Sequence, residues 1–158
     1  MIHLAKQEDL PAITALASQL WPDAAAEELE EGFSTLLSNP EAAVFLAFSN
    51  DHPAGFAQCQ LRHDYVEGTD SSPVGYLEGI YVEEAHRRKG FARLLLAACE
   101  VWAREQGCTE FASDCELINT ESLHFHLRLG FQEANRIICF TKKLSYSCHS
   151  DQVTYDAE

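Results

Sequence analysis

The feature that most constrains the fold is a strand-like segment followed by a basic turn and an amphipathic pattern, within residues 76–106. Residues 76–82 alternate and are rich in aromatic and branched side chains, which is typical of a strand. Apolar residues then recur at steps of three and four from Phe91 to Trp102, which predicts a helix that stops at Gly107. This order of elements indicates an α/β fold.

The turn between strand and helix carries three consecutive cations, Arg87, Arg88 and Lys89, and then Gly90. At a helix N-terminus the first backbone N–H groups lack partners in the helix, and the helix dipole is positive there. Gly90 lets the backbone approach a ligand, and the small Ala92 leaves the next turn open. The turn is therefore a candidate phosphate site, and an ordinary basic turn is the alternative.

Charge narrows the classes of partner. The 158 residues hold 11 basic and 25 acidic side chains, for a formal net charge of -14. Such a field repels nucleic acid and anionic membrane surfaces and attracts cations. We therefore expect no nucleic-acid or membrane partner, an anionic cofactor held by the local basic turn, and a small polycation as second substrate. The alternative is that the acidity serves solubility alone.

Two further patterns bear on location and metal content. No apolar run approaches the roughly 20 residues that span a bilayer, and Lys6, Glu8 and Asp9 interrupt any signal-peptide pattern, so we expect a cytoplasmic protein. The six cysteines are scattered without a CxxC pair, so neither a disulfide framework nor a metal site is expected.

The remaining periodicities predict one domain over residues 1–144 and a polar tail over residues 145–158. Outside the central stretch they predict helices over residues 10–20 and 24–37 and a hairpin of strands 43–48 and 54–61. A polar loop over 62–74 follows, and after the central helix come a strand over 110–114, a helix over 119–129 with Asn119 as N-cap, and a last strand over 136–142.

The spacing Arg87-x-x-Gly90-x-Ala92 after a strand, with Asn119 and the segment FHLRLGF at 125–131, resembles the acetyl-CoA pyrophosphate loop and fold of the GCN5-related N-acetyltransferase (GNAT) superfamily. Five stretches are more narrowly similar to the aminoglycoside 6'-N-acetyltransferases: LWP at 20–22, RHDYV at 62–66, Asp70-Ser71-Ser72-Pro73, LEGIYV at 77–82 and ASD at 112–114.

The resemblance implies a mixed, mostly antiparallel central sheet flanked by helices, acetyl-CoA as co-substrate, and a homodimer. It implies N-acetylation of the 6'-amino group of a polycationic aminoglycoside, by direct attack in a ternary complex. The cofactor contacts that it implies are the backbone of Ile80, Tyr81 and Val82, the turn residues Arg87, Arg88, Lys89, Gly90, Phe91 and Ala92, and Asn119.

For the substrate, the resemblance implies a pocket lined by Trp21, Tyr65, Glu78 and Asp114. Asn135 stands where the subgroup tends to carry a glutamate. Glu78 and Asp114 are candidate proton acceptors, and His126 replaces the tyrosine proposed as proton donor in the superfamily. Structural alternatives exist for four of these residues: Trp21 and Asp114 could be capping residues, and Tyr65 and His126 could simply be packed. A carboxylate at Glu78 is harder to explain in this way, because burying it without a cationic partner is costly.

Three alternatives remain open from the sequence: another substrate, a protein without catalytic activity, and a different catalytic route. The first is acetylation of another amine, such as a polyamine or a peptide N-terminus, although the stretches at 62–66 and 70–73 have no role there. The second is a cofactor-binding domain without turnover. The third is a covalent route through Cys115, for which no neighbouring base is identifiable.

Overall fold

A computed structural model describes residues 1–144 of the chain. Two short 3-10 turns, Gln7–Asp9 and Glu84–His86, connect larger elements. In chain order those elements are β1 (Ile2–Leu4), α1 (Leu10–Leu20), α2 (Ala26–Leu36), β2 (Ala42–Ser49), β3 (His52–Arg62), β4 (Val74–Val82), α3 (Phe91–Glu105), β5 (Phe111–Ser113) and α4 (Thr120–Arg128). None of the helices in residues 1–144 combines the length and the apolarity required to traverse a bilayer.

The five strands form one sheet in the order β1-β2-β3-β4-β5. The first four pair antiparallel with their neighbours, and β5 pairs parallel with β4. Parallel neighbours need a crossover connection, which α3 provides. The expected mixed, mostly antiparallel sheet flanked by helices is confirmed.

The helices bury different faces of the sheet. The stripe of α3 that contains Leu95, Cys99 and Trp102 packs on one face, in a buried cluster with Leu77 of β4. On the other face α1 and α2 enclose a second cluster around Phe56 of β3. We refer below to the α3 face and the α1 face of the sheet.

A β-bulge interrupts the alternation of β4. Cys59 pairs with Leu77 and Gln58 pairs with Gly79, so Glu78 is an extra residue without a partner on β3. As a result Leu77 and Ile80, three residues apart, both pack in the α3-face cluster. The bulge thus places the Glu78 side chain outside the regular alternation of the strand.

The strand predicted over residues 136–142 is wrong. Residues 131–144 contain neither helix nor strand, and the large apolar side chains Ile137, Ile138, Phe140 and Leu144 are 65–88% exposed. Strand-like composition reports residue types, whereas a strand also needs a neighbouring edge to pair with. The predicted tail, 145–158, lies outside the described residues, so the domain limit at 144 stays a prediction.

Candidate active site

The basic turn ends in a left-handed residue. Gly90 is the N-cap of α3 with φ 86° and ψ -1°, a conformation that favours glycine. A Cβ placed on Gly90 would meet no atom within 4 Å, so the space over the helix start is open. Because the first N–H groups of α3 precede any helical acceptor, they are free to bind an anion. Arg88 and Lys89 beside them are exposed.

Arg87 ties the turn to the sheet. Its Nε donates to the Val82 carbonyl at 3.1 Å, and its guanidinium lies 5.9 Å from the centroid of the Tyr81 ring. This arginine therefore fixes the position of the turn relative to the end of β4.

The edge of β4 next to β5 is open beyond Leu77. β5 pairs only with Gly75, Tyr76 and Leu77, whereas Ile80, Tyr81 and Val82 pair only with β3 among the described residues. An open edge of this kind can accept an extended ligand arm as an added strand. The predicted strand contacts and the predicted phosphate turn thus adjoin one another.

Glu78 has a partner that the sequence did not identify. Arg62, at the end of β3, donates from Nε to Oε1 at 3.0 Å and from Nη2 to Oε2 at 2.9 Å. The Glu78 side chain is 19% exposed, so a cation is needed to offset the cost of removing its charge from water. A bidentate pair of this geometry is stronger than a single contact.

Tyr76 connects Arg62 with the second carboxylate. The carbon of the Arg62 guanidinium lies 3.4 Å from the Tyr76 ring centroid, and the Tyr76 hydroxyl donates to Asp114 Oδ1 at 2.5 Å. Burial and then the hydrogen bond to Asp114 raise the pKa of Tyr76 far above its usual value, so the phenol stays protonated. Glu78, Arg62, Tyr76 and Asp114 form one continuous set of contacts.

Trp21 lies on the same side of the sheet. It follows α1, and its ring atoms would come within 2.8 and 2.9 Å of a Cβ at Gly79. Only a glycine at this position of β4 admits the indole. A cavity of about 700 Å³ opens beside Trp21, and Phe33 of α2 and Gln58 of β3 also line it.

Tyr65 and Asn135 meet elsewhere, around Glu67. The Tyr65 hydroxyl donates to Glu67 Oε2 at 2.8 Å, and Asn135 Nδ2 donates to Oε1 at 3.3 Å. This hydrogen bond to Glu67 raises the pKa of Tyr65. Tyr65 is 80% exposed, and within residues 1–144 no hydrogen bond joins this cluster to Glu78. Glu67 therefore places a carboxylate beside Asn135.

Glu110 fixes the loop that runs from Asp70 to Pro73. Its Oε2 accepts hydrogen bonds from the N–H groups of Asp70 and Ser71, at 3.0 and 2.7 Å, and from the Ser71 hydroxyl. The Ser71 hydroxyl and then the Asp70 amide hold the pKa of Glu110 below its ordinary value. The loop is therefore tied to the residue that precedes β5.

His126 lies on the α3 face, in contact with β5. Its Nδ1 is 2.7 Å from the Ser122 carbonyl, which can only accept, so Nδ1 carries a hydrogen. Its Nε2 is 2.9 Å from Ser113 Oγ, which in turn lies 3.2 Å from the Leu77 carbonyl. Neutral His126 accepts from Ser113, and protonated His126 donates to it. Sequence reasoning missed Ser113, because it is 13 residues away from His126 and the two side chains meet only where α4 lies against β5.

Asn119 caps α4 as predicted, since its Oδ1 accepts from Ser122 N–H at 3.0 Å. Cys115 is exposed, and among residues 1–144 no hydrogen bond joins it to an acid or base. No group of three His, Cys, Asp or Glu side chains in the same residues is arranged to hold a metal ion.

Comparison with known proteins places these features in a family. The acetyltransferase (GNAT) family matches residues 9–131. An aminoglycoside N(6')-acetyltransferase type 1 of Acinetobacter haemolyticus is 43% identical over 143 residues, which are 90% of this chain and 98% of the relative. An aminoglycoside N(6')-acetyltransferase type 1 of Serratia marcescens is 40% identical over 145 residues, which are 91% of this chain and 99% of the relative.

Solved structures agree in fold. AAC(6')-Iy in complex with the bisubstrate analog CoA-S-monomethyl-acetylneamine superposes with a TM-score of 0.88 at 38% identity, covering 91% of this chain and 98% of that one. The apo aminoglycoside antibiotic 6'-N-acetyltransferase AAC(6')-IG from Acinetobacter haemolyticus gives a TM-score of 0.88 at 39% identity, covering 92% of this chain and 99% of that one.

Proposed function

Because the chain belongs to the acetyltransferase (GNAT) family, we propose that it transfers the acetyl group of acetyl-CoA to the 6'-amino group of aminoglycosides. The observation that carries this proposal is the junction of β4 and β5. An anion-binding turn and an open strand edge lie at one side of this junction, and Glu78 and Asp114 lie at the other.

The residues around the turn fit acetyl-CoA. The N–H groups of Phe91 and Ala92, with exposed Arg88 and Lys89, suit a pyrophosphate, and the open edge at Ile80–Val82 suits an extended pantetheine arm. When bound, acetyl-CoA supplies an acetyl thioester. The N–H groups near Val82 would then polarise its carbonyl, and holding the two reactants together would supply much of the rate.

The substrate side suits a polycation. Two carboxylates at the junction can form charge-assisted hydrogen bonds with ammonium groups, and the net charge of -14 favours their approach. The Trp21 indole can pack against a sugar ring, and the Glu67 cluster of Tyr65 and Asn135 offers further polar contacts.

Proton transfer completes the proposed mechanism. An ammonium is not a nucleophile, so Glu78 or Asp114 must accept a proton, directly or through water. Attack of the neutral amine on the thioester carbonyl would form the amide C–N bond and break the C–S bond, which releases CoA as a thiolate. On the opposite face, protonated His126 would give a proton to this thiolate, either directly or with Ser113 Oγ giving up its own hydrogen as it accepts the one on Nε2. The two faces thus separate proton removal from proton supply.

We also propose that the protein is a homodimer of the cytoplasm. The four exposed apolar side chains of the segment 137–144 exceed what scattered surface residues explain, and they follow a strand-like pattern that a second copy could complete. Five cysteines of residues 1–144 are unpaired, as in reducing compartments. Light scattering tests the assembly: Phe140→Glu should shift the mass from two chains to one.

The test of function is acetyl-CoA-dependent thiol release. Kanamycin and tobramycin, which carry a 6'-amine, are compared with a 6'-hydroxyl aminoglycoside and spermidine. We expect turnover with the first two only, and a loss of about 100-fold in kcat/KM for Glu78→Gln. Glu100→Gln, at a half-buried position of α3 that pairs with Arg104, is the control and should retain activity. Turnover of spermidine alone would support another amine acetyltransferase, and no thiol release from any compound would support a binding domain.

A further inference from the structure

We propose that Tyr76 is the positioning residue of the acceptor site, which aligns both carboxylates through its two ends. Its ring supports the Arg62 guanidinium against Glu78, and its hydroxyl orients Asp114. This inference rests on the proposed function, since it concerns how the site selects an ammonium-bearing substrate.

The ring end acts through Arg62. A guanidinium 3.4 Å above an aromatic centroid is held by both stacking and cation–π attraction. With its flat face fixed, Arg62 directs Nε and Nη2 at the two oxygens of Glu78. Tyr76 therefore sets the orientation of Glu78 without touching its carboxylate.

The hydroxyl end acts on Asp114. Tyr76 is 5% exposed, whereas Asp114 is exposed, so a rigid buried donor holds one oxygen of a solvent-facing carboxylate. The other oxygen, Oδ2, has no hydrogen-bond partner among the described residues. The carboxylate is thus fixed in orientation with one acceptor oxygen available.

The two carboxylates are therefore unequal toward a cation. Both Glu78 oxygens already bind Arg62, so an incoming ammonium has to share that carboxylate with a guanidinium. Asp114 offers a free oxygen, and within residues 1–144 it bears no positive partner. Asp114 becomes the principal ammonium acceptor, and the Tyr76 hydroxyl determines how well it performs this role.

A double-mutant cycle tests the hydroxyl end. Tyr76→Phe keeps the ring and removes the hydroxyl, and should raise the tobramycin KM and the calorimetric Kd about fivefold, with the acetyl-CoA KM unchanged. In an Asp114→Asn background the same substitution should change the tobramycin values by less than about twofold. Ser18→Ala, which removes a hydroxyl from α1, is the control for stability and should leave kinetics unchanged.

Tyr76→Leu removes both ends and tests the ring. It should lower kcat beyond Tyr76→Phe, because Arg62 loses its support and Glu78 its orientation. An unchanged tobramycin Kd in Tyr76→Phe, or an equal change in both backgrounds, would overturn the inference. Equal kcat values for the two Tyr76 variants would show that the ring does not orient Glu78.

Calorimetry reports binding without turnover, so wild-type protein that binds tobramycin without releasing thiol contradicts the proposed function alone. Wild-type protein that binds no tobramycin contradicts both.

Discussion

Gly90→Ala measures how far acetyl-CoA binding depends on the left-handed residue before α3. Gly90 has φ 86°, and its added Cβ would contact nothing within 4 Å. The substitution therefore introduces no steric overlap with neighbours, and its cost is the left-handed backbone of a residue with a side chain, about 1–2 kcal/mol. This cost falls on folding where the turn keeps its left-handed form in the free protein, and on binding where the turn relaxes; because no atom lies within 4 Å of the added Cβ, we expect the turn to relax and the melting temperature to change little.

The same energy sets the expected loss of affinity. Alanine at position 90 favours negative φ in the free protein, which turns the first N–H groups of α3 away from the phosphate direction. Binding CoA must restore the left-handed turn, so the strain energy is paid on binding and gives a loss of about 5- to 30-fold in affinity. Isothermal titration with CoA measures it directly.

Gly107→Ala is the matched control. Gly107 has φ 88°, and its added Cβ is equally free of contacts, but it follows the end of α3 rather than its start. Backbone hydrogen bonds from Gly107 to Arg104 and from Cys108 to Ala103 hold this turn in place, so its strain falls on stability. We expect a melting temperature lower by about 2–8 °C and an unchanged affinity for CoA. An unchanged affinity in Gly90→Ala would refute the phosphate-binding role of the turn. An equal loss in both variants would show that affinity follows stability instead.

Two further predictions concern the Trp21 cavity and the loop that Glu110 holds. Gly79→Ala would bring a methyl group within 2.8 Å of the Trp21 ring, an overlap that costs about 1–3 kcal/mol. The substitution should raise the tobramycin KM and leave the acetyl-CoA KM unchanged. Equal changes in both KM values would contradict a specific role for Trp21. Glu110 has a lowered pKa, so its stabilisation is present above the ordinary carboxyl pKa and is lost as pH falls through the folded value. Glu110→Gln should therefore have a lower melting temperature than the wild type at pH 7, and the difference should shrink as pH falls below the ordinary carboxyl pKa. A difference that stays constant as the pH falls would contradict the assignment.

Local patterns predicted much of the fold. The apolar spacing of residues 91–102 predicted α3, and Asn119 at the start of α4 caps it as expected. Both signals depend on neighbours within a few residues, which the sequence displays. The strand over 136–142 was wrong, because its residue types say nothing about an edge available for pairing.

The site was only partly predictable. Sequence reasoning selected Glu78 and Asp114 but missed the partners that orient them, Arg62 and Tyr76. Arg62 and Glu78 are 16 residues apart and meet through the pairing of β3 with β4. The bulge at Glu78 also shifts the alternation, so a regular period of two assigns the side chains of β4 to the wrong faces.

The most direct test of the account is the position of the acetyl group in the product. Tobramycin is incubated with carbonyl-13C-labelled acetyl-CoA and the wild-type enzyme, and the product is mapped by NMR. We expect a single amide at the 6' nitrogen, which requires that the acceptor carboxylates orient this amine toward the open edge of β4. An amide at another amine, or a mixture of positions, would contradict the assignment of the acceptor site.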